Sequence, residues 1–264
     1  MAQDSANPVA PYTNWATAAQ DIQSALDLAV LPGQWVLVSN GVYLTGGRLV
    51  ANTTNRVAVQ RAMRLASVNG PDVTIIEGQR GAGGGIGAGA VRCVYLASGA
   101  VLDGFTLRYG ATESFSAGGG VYCASPSATV TNCIINANYA YLGGGAFSGN
   151  FINSIFQFNS AYSSGGACYS STLNNCTLHD NGANNNAGGA YSSTLNNCTL
   201  SHNRAISYGG GMASSTLNNC ILDGNLGEYG GGSYLGTANN RIFTNIEFRI
   251  NNGYEFTHSK SIPV

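Results

Sequence analysis

The chain has 264 residues, of which 37 are Gly, 9% are charged and 44% are hydrophobic, and its net charge is −1. That apolar content with so little charge excludes a disordered chain. The near-neutral balance without any Lys/Arg run gives nucleic acid or an anionic membrane no electrostatic footing, and no stretch is long and apolar enough for a membrane-spanning helix.

The N-terminus, MAQDSANPV, has neither a basic nor a hydrophobic leader region. An initiator Met ahead of such a segment suits a secreted or cell-surface bacterial protein expressed without its signal. Residues 15–31 read as an amphipathic helix, with Ile22, Ala25, Leu26 and Ala29 on one apolar face. Pro32-Gly33 stops it. QWVLVSNGVYL then reads as two short strands around an Asn-Gly turn. Less regular strands follow to residue 110: RVAVQ, VTIIEG, RCVYL and AVLDGFTL. The Gly-rich segments 79–90 and 111–120 read as surface loops between them.

From residue 101 the chain repeats. SSTLNNCTL at 170–178 returns at 192–200 and, as SSTLNNCIL, at 214–222, a period of 22 residues. Looser copies are TVTNCII, NFINSIF and TANNRIF. One copy is too short to bury its own apolar face, so successive copies must stack as a solenoid. The expected fold is all-β: a single-stranded right-handed parallel β-helix of about ten coils of ~22 residues, capped by the N-terminal helix. Its parts are an N-terminal segment and capping helix (1–35), the β-helix (36–243, regular from about 121), and an irregular C-terminal cap or start of a continuation (244–264).

Columns follow from the period. Leu102, Val130, Phe151, Leu173, Leu195 and Leu217 form one apolar column, and Leu107, Ile135, Phe156, Leu178, Leu200 and Leu222 another. Between them stand Phe105, Cys133, Ser154, Cys176, Cys198 and Cys220. The three-residue step between inward positions requires a bend, because a flat strand keeps a period of two. The cysteines therefore stack as buried free thiols rather than pair as disulfides. Asn138, Asn159, Asn181, Asn203 and Asn225 mark a turn where side-chain amides can form a ladder and left-handed geometry is tolerated. Gly pairs at 144–145, 165–166, 188–189 and 210–211 mark the next corner.

GGAF at 144–147, GGAC at 165–168 and GGAY at 188–191 resemble the GGA-type motif of chlamydial polymorphic membrane protein repeats, and FQFN at 156–159 resembles their partner FxxN motif. TLHDN, TLSHN and ILDGN keep only its Asn. The helix with PGQWVLVSNGVY resembles the N-terminal cap of pectate-lyase-like parallel β-helices. That resemblance implies the fold with more force than an activity, because the fold hosts lyases, hydrolases, adhesins and inert surface proteins. For a lyase it implies Ca²⁺ or a cationic group on the uronate and a Lys or Arg base. The only lysine is Lys260, and Arg204 is the single arginine of residues 121–240.

Candidate residues fall in three groups. Glu77 and Asp103 read as occupying the same bend of neighbouring coils, with Arg80, Arg92, Arg108 and Glu113 nearby, either as a weak Ca²⁺ or catalytic site or as turn formers. Asp180 and His202 take equivalent places in adjacent coils, as a general-base pair or a plain turn pair. Tyr122, Phe147, Tyr169, Tyr191 and Tyr234 share a column with Ala213. Pointing outward, they make an aromatic strip for sugars or a protein; pointing inward, they fill the core. Ile134, Ile155, Thr177, Thr199, Ile221 and Ile242 make a second outer strip. No cofactor is expected beyond Ca²⁺ at the Glu77/Asp103 bend.

The leading functional expectation is an extracellular or surface binding or structural module, glycan-binding or adhesin-like, without covalent chemistry and with a polysaccharide or surface partner. The alternatives are a lyase or hydrolase acting on an acidic polysaccharide, and a fibre subunit associating end to end through its decayed C-terminal repeats.

Overall fold

The computed structural model describes residues 1–113, 115–244, 246–250 and 254–258, with backbone alone for residue 238, for 241–243 and for the strands after 245. The coil 172–193 shows the plan. Its first strand is Thr172–Asn174, its second Thr177–His179, its third Gly182–Ala183 and its fourth Ala190–Tyr191. Each pairs in parallel with the equivalent strand of the next coil. The first and second ladders belong to one sixteen-stranded sheet, joined where Thr216–Asp223 runs through the bend as a single strand. The third ladder forms a seven-stranded sheet and the fourth a nine-stranded one. The molecule is thus a right-handed parallel β-helix.

Among the described residues the first ladder has nine rungs, from Trp35–Val38 to Thr237–Thr244, where the period predicts about ten coils. The early coils are longer: Val36, Leu65 and Leu102 are successive rungs. The loop at 79–90 is one such excursion. The Asn40-Gly41 turn does not fold the first two strands on each other. Trp35–Val38 pairs with Arg64–Ser67, and Gly41–Tyr43 with Thr74–Ile76, so this turn is simply the bend of the first coil.

The helical segment is shorter than its pattern. Trp15–Thr17 is a 3-10 turn, and the α-helix proper spans Ile22–Leu28. Asp21 starts it as N-cap, its carboxylate accepting the Ser24 N–H at 2.8 Å. Ile22 and Leu26 are buried against the first coil, with Ala25 and Ala29 packed beside them.

The inward columns stand as the three-residue step requires. Every residue of the two apolar columns is fully buried, and each such side chain contributes about 1.5–3 kcal/mol of burial. The step is made by left-handed bend residues, Asn132, Asn153, Asn175, Asn197 and Asn219, with φ between 49° and 55°. The ladder Asn residues are not themselves left-handed: the positive φ falls one residue earlier, at Ala137, Phe158, Asp180, His202 and Gly224. This turns the Asn side chain inward. Asn138 Nδ2 donates to Asn159 Oδ1 at 3.0 Å, and the same bond repeats to Asn181, Asn203 and Asn225 at 2.9–3.0 Å.

All seven cysteines are free and buried. Burial pushes the Cys93, Cys123, Cys133 and Cys168 thiols from 9.0 up to about 12. The unfolded chain therefore releases these protons first as pH rises, and stability present below pH 9 is lost between 9 and about 12. Thermal melting under reducing conditions should occur at a lower temperature at pH 10 than at pH 7.5. An unchanged midpoint would mean that these thiols do not sense the core.

At the far end, Thr237–Thr244 continues the first two ladders beside Thr216–Asp223. The stretch expected to be irregular from 244 contains an antiparallel pair, Ile246–Ile250 with Tyr254–His258, attached to the third-ladder sheet. Lys260 and the rest of the tail beyond 258 lie outside the described residues.

Candidate binding surface

The fourth ladder is two residues wide in the regular coils. Its first residue points inward (Val121, Ala146, Cys168, Ala190, Met212), and all of these are fully buried. Its second residue therefore points outward. Register places Tyr95, Tyr122, Phe147, Tyr169, Tyr191, Ala213 and Tyr234 in one column, and every ring in it is half-buried. The strip faces solvent.

Its rings stack on one another. Centroid distances from Tyr95 through Tyr122, Phe147 and Tyr169 to Tyr191 are 5.9, 5.2, 5.7 and 5.1 Å, with interplanar angles of 8–22°. Parallel strands ~4.8 Å apart impose this spacing. The faces of the inner rings are covered by their neighbours, so the strip offers ring edges and phenol hydroxyls rather than open platforms for a sugar. At Ala213 a neighbouring loop intervenes: Tyr208 packs on Tyr234 at 4.5 Å and on Tyr229 at 5.1 Å, and Ala213 is buried. Tyr95 and Tyr208 were missed in the sequence because they lie in the irregular half and in a loop.

A left-handed residue at each corner borders this strip: Gly143, Gly165, Gly209 and Gly230, with Ala187 in the equivalent place, and Gly165 (71°) lies beside Tyr169. The residue after it is held tightly: a Cβ on Gly166 would collide with the carbonyl oxygens of Gly182 and Gly188. The corner thus brings the aromatic strand tightly against the third ladder.

The acidic candidates do not come together. Glu77 ends a second-ladder strand, where its carboxylate accepts the Arg108 Nε–H at 2.7 Å. Asp103 ends a first-ladder strand, where it pairs with Arg64 and accepts Asn132 Nδ2 at 2.8 Å. They occupy different corners of the coil, so the shared bend expected for Ca²⁺ is not formed. Among the described residues no cluster of three His, Cys, Asp or Glu side chains exists. Arg92 lies elsewhere, buried on the fourth ladder. It donates to the Gly118 and Ala117 carbonyls at 2.8 and 2.9 Å and to Asn55 Oδ1 at 2.6 Å, and burial lowers it to about 10. Its guanidinium lies 5.0 Å over the Tyr122 ring, which supports the aromatic strip from below. Arg80 reaches the Gly84 and Ala137 carbonyls, and Glu113 is exposed.

Asp180 and His202 do occupy equivalent turn positions, but the bonded pair is a different one. Asp180 contacts Nδ1 of His179, its own neighbour in the chain, at 2.8 Å, while His202 lies over Gly224. A left-handed turn residue points back along its own strand end, which the 22-residue spacing does not reveal. The second outer strip is outward as well, with Ile155 and Ile221 exposed and Ile134, Thr177 and Thr199 half-buried; the Ile242 side chain lies outside the described residues. An external amide ladder, unforeseen in the sequence, runs beside it: Asn174, Asn196, Asn218 and Asn239 bond in series at 2.8–3.0 Å.

No family model and no curated protein matches the chain. Solved structures do. The pectate lyase Pel9A is similar over 89% of this chain and 68% of its own, at 14% identity and a TM-score of 0.49. Pectin methylesterase PemA from Erwinia chrysanthemi is similar over 98% and 84%, at 10% identity and 0.46. A pectin methylesterase in complex with a hexasaccharide is similar over 92% and 82%, at 12% identity and 0.44. At these identities the likeness is one of fold.

Proposed function

We propose that this β-helix is a secreted or cell-surface binding module that recognises an extended glycan along its aromatic strip, without covalent chemistry. The observation that carries this reading is the outward, five-ring stack from Tyr95 to Tyr191, rigidly spaced by the coils. One aromatic edge is presented per coil, in four of the five cases with a phenol hydroxyl, a periodic surface suited to a periodic partner. A polymer lying along the axis would meet the same groups at each step. The separate pairing of Glu77 and Asp103 favours binding over turnover, because two carboxylates working on one bond must face a common space. The chlamydial-type repeat motifs fit the same surface-exposed role.

The test is a double variant, Tyr169→Ala/Tyr191→Ala, compared with Tyr169→Phe/Tyr191→Phe. Aromatic contacts are each worth about 0.5–1.5 kcal/mol, so the alanine pair should weaken retention on an immobilised polysaccharide about tenfold or more. The phenylalanine pair separates hydroxyl from ring edge: retention is lost only in part if both contribute. Unchanged retention by the folded alanine variant would remove the strip from the binding surface.

A further inference from the structure

Both tryptophans of the chain lie at the opposite end of the molecule from the regular coils, and neither is in the core. Trp15 stands in the 3-10 turn ahead of the capping helix and is 49% exposed. Trp35 opens the first strand and is 61% exposed. Together with Tyr12 they line a single cleft of about 480 Å³ between the cap and the first coil, a volume within the range of small-molecule sites. Unlike the rings of the aromatic strip, these indoles are stacked on no other ring among the described residues. Arg64 covers one face of Trp35 at 4.4 Å and does not line the cleft, which leaves the other face for a ligand.

No charged side chain lines the cleft, and the α-amino group of Met1, also a lining residue, donates to the Leu37 carbonyl at 2.7 Å. Its side-chain hydrogen-bonding groups are those of Tyr12, Thr13, Asn14, Gln34 and the two indoles. The Asn14 and Gln34 amide oxygens are occupied by the Thr17 and Leu31 N–H groups at 3.0 and 2.7 Å. Their amide nitrogens have no partner among the described residues and remain free to donate. We infer that this cleft is a second binding site, distinct from the aromatic strip, for an uncharged oligosaccharide. The sugar's apolar ring face would rest on the indoles and its hydroxyls would accept from the two amides. An acidic sugar would find no cationic side chain there, the Met1 α-amino group being held by the Leu37 carbonyl, and a purely apolar chain would leave both donors unpaired.

The site carries its own reporter, because all tryptophan emission of the protein arises from this cleft. Titration with cellohexaose, xylohexaose and N-acetylchitohexaose should give a saturable change in emission with at least one of them, and hexagalacturonate should give none. Calorimetry should show at least tenfold weaker binding of that sugar to Trp35→Ala. Trp15→Ala, on the other element and away from Arg64, should behave alike if Trp35→Ala disturbs the first strand. Tyr169→Ala should leave the emission response intact, so failure of the strip and failure of the cleft are told apart. The inference is overturned if no neutral hexasaccharide changes the emission, if only hexagalacturonate does, or if both tryptophan variants bind as the unaltered protein does.

Discussion

Replacing Asn181 by Ala is expected to lower the unfolding free energy by about 3–5 kcal/mol. Asn181 is buried at the centre of the internal ladder. Its Oδ1 accepts the backbone N–H and the Nδ2–H of Asn159, both at 3.0 Å. Its Nδ2 donates to the Phe156 and His179 carbonyls and to Asn203 Oδ1. Alanine leaves two buried donors of Asn159 without that acceptor, and each unsatisfied group costs about 1–3 kcal/mol. Asn196 makes a similar pair of ladder bonds, to Asn174 at 2.9 Å and from Asn218 at 2.8 Å, but on the half-exposed outer face. Water can replace those bonds, so Asn196→Ala should cost at most about 1 kcal/mol. Urea unfolding followed by circular dichroism compares the two. Equal losses would mean that burial does not separate the ladders.

The second large effect belongs to Phe156→Ala, expected at about 3–5 kcal/mol. Phe156 is fully buried and packs edge-to-face on Phe151 at 5.2 Å. Its strand neighbours in the column are Ile135 and Leu178, also fully buried. A cavity at this point faces coils on both sides, and in a solenoid the interfaces between adjacent repeats carry much of the stability. Ile155, one residue earlier, is 38% exposed, and Ile155→Ala should cost about 1 kcal/mol or less. The contrast tests the inward–outward assignment directly: a larger loss at Ile155 than at Phe156 would contradict it.

The sequence makes the regular half of this molecule readable for a physical reason. A solenoid repeats one local environment, so the columns through Leu173, Cys176, Leu178 and Asn181 follow from the period alone. What the period could not reveal was set by contacts between unlike segments. Glu77 and Asp103 share the same local signature, an acidic residue before Gly at a strand end, yet they sit at different corners. Their placement is fixed by pairing with Arg108 in one case and by the Arg64 strand in the other. The His179–Asp180 contact was hidden because it lies within one coil, whereas the repeat drew attention to equivalent positions across coils. The parity of the GGAYSSTL stretch was ambiguous until the fourth ladder supplied the register Ala190↔Met212 and Tyr191↔Ala213. The tryptophan cleft had no periodic signal at all, since it joins a non-repeating turn to the first strand.

The most direct test of binding without turnover is co-sedimentation of the protein with a panel of neutral and acidic polysaccharides, run with Ca²⁺ and with a chelator, while released sugars are assayed. The expected result is retention on at least one polymer that depends on Tyr169 and Tyr191, with the polymer intact and no unsaturated uronate or new reducing ends in solution. Release of unsaturated uronate would contradict it and restore a lyase, and new reducing ends would restore a hydrolase. Retention on no polymer would remove the glycan-binding role itself.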